Sequence, residues 1–222
     1  SRSYSNYARC YDQLGDVARA DLYHRKAIQS RLDDFGGSHY MLAGEYMNYG
    51  LFCINHERKD DGLSYFHKAL KMYQGYYGHK HSKTANCLAN IGDFYLEEKA
   101  FDNSLCFYQK AISSISPAFN DTSNFYNNPS IDIYSYSEPE LVYFLYKKAL
   151  ALSEKYNSPD ADYKDLQAGI STFQLAMKIV DNIRITQLSR ESKLQLAKNQ
   201  KELYAGLIQS CIKAYEISND VK

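Results

Sequence analysis

The chain has 222 residues, with 26 Lys plus Arg against 26 Asp plus Glu. That balance argues against nucleic acid or an anionic membrane surface as partner, since both call for a basic surplus. No run of about 18 apolar residues is present for a membrane-spanning helix, and "SRSYSNYARCYDQLGD" lacks the apolar core of a secretory signal.

Five cysteines (10, 53, 87, 106 and 211) are scattered without a Cys-x-x-Cys pair. Reduced, mostly buried thiols in a cytoplasmic protein are expected. Tyrosine occurs 22 times and tryptophan not at all. No proline precedes residue 117, so nothing before that point breaks a helix.

A repeat governs the first half. "YHRKAIQ" (23–29) recurs as "YFHKALK" (65–71) and "FYQKAIS" (107–113), 42 residues apart each time. Asn6 aligns with Asn48 and Asn90, Gly50 with Gly92, Gly36 with Gly78, and His39 with His81. A fixed period of this size signals stacked supersecondary units. Three units are expected, at about 1–42, 43–84 and 85–116, each a pair of antiparallel helices. In the third, Leu88, Ile91 and Tyr95 recur at helical steps, as do Leu105, Tyr108, Ala111 and Ile112 after the turn "EEKAFDN". Ala27, Ala69 and Ala111 mark places where two helices cross closely, at the short end of ~8–10 Å. The ring three residues earlier (His24, Phe66, Tyr108) fills the neighbouring gap, and Ala8, Gly50 and Gly92 supply the small partner from the first helix.

The period then slips. "GLSYFHKALK" (62–71) matches "GISTFQLAMK" (169–178) at an offset of 107. Residues 117–137 read as an irregular Tyr/Asn-rich insertion. Its rings and branched side chains (Phe119, Phe125, Tyr126, Ile131, Ile133, Tyr134, Tyr136) would be costly to leave in water, so a packed loop across the array is expected. A fourth, divergent hairpin is expected over 138–184, with a capping box from Ser137 and Glu140 and a second start at Ser158-Pro159. Residues 185–222 read as one long amphipathic helix, the first helix of a further unit cut short.

These features resemble the tetratricopeptide repeat (TPR). Its pattern of large apolar residue, leucine-glycine, tyrosine, then alanine, aromatic and alanine is met by Leu88, Ile91-Gly92, Tyr95, Ser104, Tyr108 and Ala111. The usual period is about 34. The eight additional residues and the "GHKH" connector (78–81) resemble the kinesin-light-chain type. The order of the later segments, with "NNPS", "ELVYFLYKKALAL" and "ESKLQLAKNQKELYAGLI", resembles the amino-terminal arm of bacterial CHAT-domain proteins, whose caspase-like protease domain would lie beyond residue 222. The resemblance implies an all-α, right-handed TPR-like superhelix of antiparallel hairpins, with about four to five repeats.

It also implies a concave groove lined by first helices. Asparagine is a middling-to-poor helix former, so Asn6, Asn48 and Asn90 in register need a reason. The resemblance extends to them the role of gripping a peptide main chain through their amides; the alternative is a hydrogen bond to a neighbouring repeat. Arg9, Gln13, Leu51, Asn55, Asp93 and Glu97 lie one turn away and would set side-chain preference, or stand merely solvated. The groove lacks the lysines and arginines of a dicarboxylate clamp. His39 and His81 are expected at connectors, bonding a helix end, rather than at a metal. Cys53 is expected in the core, as are Tyr4, Tyr7, Tyr23, Tyr46, Tyr49, Tyr65 and Tyr95. No phosphate loop, nucleophile elbow or zinc motif is written in the chain, and no cofactor or metal is expected. The reading is a non-enzymatic scaffold that binds a protein or peptide, or alternatively a regulatory arm of a caspase-like domain in the same polypeptide.

Overall fold

The computed structural model describes residues 2–37, 39–130, 139–185, 201–202, 204–213 and 216. Among these all regular structure is helical: α1 (Arg2–Gln13), α2 (Val17–Phe35), α3 (Tyr40–Asn55), α4 (Lys59–Tyr77), α5 (Ser82–Glu97), α6 (Phe101–Ile115), α7 (Pro139–Tyr156) and α8 (Tyr163–Ile185). Residues 204–213 are helical as well. The starts of α2, α4 and α6, at 17, 59 and 101, are 42 apart, and so are those of α3 and α5.

The turns repeat with the helices. Gly15, Glu57 and Lys99 all take positive φ, at 78°, 62° and 56°. At each turn two backbone N–H groups reach back to the preceding helix. Gly15 donates to Asp12 and Asp16 to Tyr11; Glu57 donates to Ile54 and Arg58 to Cys53; Lys99 donates to Leu96 and Ala100 to Tyr95. This is the left-handed helix ending that satisfies orphan carbonyls. The long connectors repeat too. Gly36 and Gly78 sit at φ 74° and 80°, where a side chain would be strained. His39 Nδ1 accepts the Met41 N–H at 3.2 Å and His81 Nδ1 accepts the Lys83 N–H at 3.0 Å. Both histidines cap a helix start, as their spacing predicts.

The chain forms two compact units, residues 1–91 and 92–222, with the boundary inside α5. In the first, α1 pairs with α2, α3 with α4, and α2 lies against α3. Ala8, Ala27 and Ala69 are fully buried. A Cβ added to Gly50 would stand 2.7 Å from the Phe66 ring and 3.0 Å from the Gly62 carbonyl, so the α3–α4 crossing admits only glycine there. Ala20, Tyr49, Phe52 and Cys53 form one core cluster and Ala43, Ala69, Tyr73 and Cys87 another. Burial raises the Cys53 thiol pKa and pushes that of Cys87 up to about 12, so both stay protonated and inert. The expectation of mostly buried thiols holds for these two; Cys10 and Cys211 are exposed and Cys106 lies between. Tyr4 and Tyr7 are also exposed, 38% and 53%, against the expected core placement. Each packs one side, tilted, against Tyr23, with ring centroids 6.2 and 5.4 Å apart.

In the second unit Gly92 meets Tyr108 as Gly50 meets Phe66: a Cβ would be 2.9 Å from the ring. Residues 117–130 pack as a strap. The buried Gln109 side-chain amide donates to the carbonyls of Asp121, Asn124 and Asn127 at 2.9–3.2 Å. Lys148 is fully buried; its ammonium donates to Gln109 Oε1, the Asn127 carbonyl and Asn128 Oδ1 at 2.7–2.8 Å. Burial lowers its pKa to about 7. The Tyr126 hydroxyl donates to Asp165, and Asn128 to Thr172. Loop carbonyls that water would otherwise solvate are thereby satisfied. Ile131, Ile133, Tyr134, Tyr136 and the Ser137 cap fall outside the described residues.

Two details of the later chain differ from expectation. Ser158 does not start α8: its hydroxyl donates to the Lys155 carbonyl at 2.6 Å and closes α7. Asp162 does that work, accepting the Lys164 N–H at 2.9 Å. Among the described residues of the terminal helix, much of the expected apolar stripe stays exposed. Tyr204, Ile208 and Ile212 are exposed, whereas Gly206 abuts Phe173 and Ser210 is buried. Small residues dock because the close α8 approach leaves no room for larger ones; Ser210 also pairs with Ser153 at 3.0 Å. The start of the expected helix, 186–200, lies outside the described residues.

Candidate functional site

The first unit contains a cavity of about 200 Å³ lined by Ser5, Asn6, Arg9 and Asp12 of α1, His24 of α2, and Asn48, Leu51, Phe52 and Asn55 of α3. The helical steps from 48 to 51, 52 and 55 put the α3 residues on one face. The steps from 5 to 6, 9 and 12 do the same on α1. Five of the nine residues expected to line a groove therefore meet here: Asn6, Arg9, Asn48, Leu51 and Asn55.

The walls are polar and braced from behind. Ser5 donates to the buried Glu45 at 2.6 Å, and Arg31 donates to the same carboxylate at 3.2 Å. Asp12 and the His56 Nε2 stand 2.6 Å apart. Those groups hold α1 against α3. The Asn48 and Asn55 side chains are exposed and make no hydrogen bond among the described residues, and Asn6 has only a long contact, 3.5 Å from Arg9. Their amides remain available as paired donors and acceptors. The floor is aromatic. His24 packs between Tyr49 and Phe52, ring centroids 5.6 and 4.9 Å away, and burial lowers its pKa against the pull of Asp12, Glu45 and Asp21. Burial thus favours the neutral imidazole.

Behind the floor, Tyr49 is locked. Its hydroxyl donates to Asp21 at 2.7 Å and accepts from Arg25 and Arg58 at 3.1 and 3.0 Å. A fixed tyrosine keeps α2 and α3 in register under the cavity.

The other expected residues lie elsewhere. Gln13 is exposed and does not line the cavity. Asn90 donates to the Asn86 carbonyl of its own helix at 2.9 Å. Asp93 accepts from the Tyr108 and Tyr143 hydroxyls at 2.6 and 2.8 Å and pairs with Lys147 at 3.0 Å. Glu97 borders a separate hollow of about 520 Å³ in the second unit with Leu96, Phe101, Leu150 and Glu154. Sequence reading passed over His24 as a lining residue because it occupies a core slot. Its signal was a polar ring where Phe66 stands one period later. Among the described residues no group of three His, Cys, Asp or Glu is placed to hold a metal, and no helix is long and apolar enough to cross a membrane.

The tetratricopeptide repeat model matches residues 42–114. Over that segment the sequence fits tetratricopeptide repeats. Among solved structures, BtubC (BKLC) from P. vanneervenii is similar, with a TM-score of 0.64 at 14% identity over 84% of this chain and 65% of BtubC. At that identity the likeness concerns the fold, an all-α array of TPR-like hairpins. This chain spans under two thirds of that protein. No curated protein matches it by sequence. TPR arrays mediate protein–protein interaction, and the α1/α3 cavity lies on the first helices of two successive hairpins.

Proposed function

We propose that the first unit binds an extended protein segment across α1 and α3, with Asn6, Asn48 and Asn55 gripping its main chain. The observation that carries this reading is the cavity itself, where Asn48 and Asn55, without intramolecular partners among the described residues, meet Asn6 of the preceding repeat, held only by a 3.5 Å contact with Arg9. An unpaired amide on a rigid helix is a pre-set donor and acceptor, and it loses little freedom on binding. The 42-residue period supports the long-period, kinesin-light-chain type of TPR. The second-unit residues Asp93 and Glu97 are left out of the grip: Asp93 is already saturated by three partners.

The test is capture of peptides by Asn48→Ala/Asn55→Ala. Both side chains are exposed and unbonded, so stability should stay within about 0.5 kcal/mol of the parent. Affinity should fall by ten-fold or more, as loss of two hydrogen bonds at about 1 kcal/mol each requires. Unchanged binding would overturn the proposal; melting lowered by many degrees would make the asparagines structural.

A further inference from the structure

The first unit holds a second cavity, of about 560 Å³, that shares no lining residue with the α1/α3 cavity. It is lined by Tyr46 of α3 and one face of α4: Lys68, Lys71, Met72, Gly75 and Tyr76. Steps of three and four residues put those α4 positions side by side. Tyr46, Met72 and Tyr76 supply apolar surface, and Tyr76 is 59% exposed. The only charged residues in the lining are the two lysines.

Repeat register separates what the fold needs on this face from what it does not. Lys68 recurs as Lys26 and Lys110, and each ammonium lies over the ring three residues earlier, at 4.7–5.3 Å. It is a framework residue. The rest of the face is not. One period earlier Lys71, Gly75 and Tyr76 are Gln29, Asp33 and Asp34. The α4 copy thus carries an added lysine and no carboxylate where the α2 copy has two. Lys71 is exposed and makes no ion pair or hydrogen bond among the described residues. Gly75 breaks a local rule as well. Glycine inside a helix is costlier than alanine, yet a Cβ at 75 would meet nothing within 4 Å. No close crossing demands it, unlike Gly50; what it supplies is open space beside the apolar surface. One period after Lys71, Ser113 of α6 donates to the Phe119 carbonyl of the strap at 3.1 Å. At that register a second helix of this chain already carries an extended segment.

We infer that this α4 face docks an extended segment of a partner protein, with a carboxylate side chain at Lys68 and Lys71 and a neighbouring apolar side chain on Tyr46, Met72 and Tyr76. Charge sets the class, since two ammonium groups with no carboxylate beside them attract an acid and repel a base. The strap on α6 and the balance of 26 basic and 26 acidic residues favour a protein segment over nucleic acid. The volume lies within the ~300–1,000 Å³ of preformed binding sites. The inference does not depend on the α1/α3 reading.

The experiment follows the fluorescence anisotropy of labelled octapeptides with glycine flanks as the full chain is added. Their centres are Asp-Phe-Asp, Asn-Phe-Asn and Lys-Phe-Lys, and a thymidine oligonucleotide is run beside them. The acidic peptide should bind about five-fold tighter than the neutral one, or better, and the margin should shrink as salt is raised. Lys71→Glu should weaken it about ten-fold. Lys26→Glu changes the net charge equally, away from the cavity, and should leave it unchanged. Gly75→Gln should fill the open space and weaken binding, yet melt at or above the parent temperature. Absence of an acidic preference overturns the inference, as does parent-like binding by Lys71→Glu or Gly75→Gln. So does an equal loss in Lys26→Glu, or an oligonucleotide that binds as tightly as the acidic peptide.

Discussion

The first unit and the second treat the same repeat differently. In the second, polar groups at and beside the repeat slots are consumed by the fold. Tyr108 is tied to Asp93, and Gln109 holds three strap carbonyls. Lys148 holds Gln109, Asn127 and Asn128. In the first, His24 stays unpaired and Asn48 and Asn55 face solvent over a cavity. One repeat pattern thus serves as a closed structural block and as an open surface. What separates them is whether a second polar group arrives to complete the first.

The comparison breaks most sharply at Gln109. Gln109→Leu leaves three part-buried carbonyls and the buried Lys148 amine short of partners, and should destabilise the second unit by about 2–4 kcal/mol. Hydrogen exchange should show residues 117–130 losing protection while α1 to α4 keep theirs. A smaller effect sharpens the slot argument. Phe66→His places an unpaired imidazole against Gly50 and should cost about 2 kcal/mol in denaturant melts. A neutral Phe66→His would show that this slot accepts an imidazole without cost. The smallest effect tests the shared turn. Lys99→Gly relieves a positive φ and should stabilise by about 0.5–1 kcal/mol, read as a rise in melting temperature.

Much of this was legible from residue spacing. The 42-residue period located the helix starts because hydrophobic steps and small crossing residues are local signals. Ala27, Ala69 and Ala111 are all buried without exception. The histidine caps were readable from His39 and His81 alone, each acting on a backbone N–H two residues away. Asn6 and Asn48 were picked out by register and do meet in one cavity. Asn90 shared that register and yet bonds its own helix, and Asp93 looked like a free groove acid until Tyr143 and Lys147 closed on it. Ser158 had the composition of a cap but faces the helix before it, since a hydroxyl can serve either neighbour.

The chain order alone therefore determined helical hairpins, their period, their turns and the tight crossings, since each depends on residues within a few turns of one another. Tertiary structure alone decided which polar side chains are spent and which stay available. Tyr143 reaches Asp93 across 50 positions, and Lys148 reaches Gln109 across 39. Hydrogen-bond satisfaction is a property of neighbours in space, and no periodicity announces who those neighbours are.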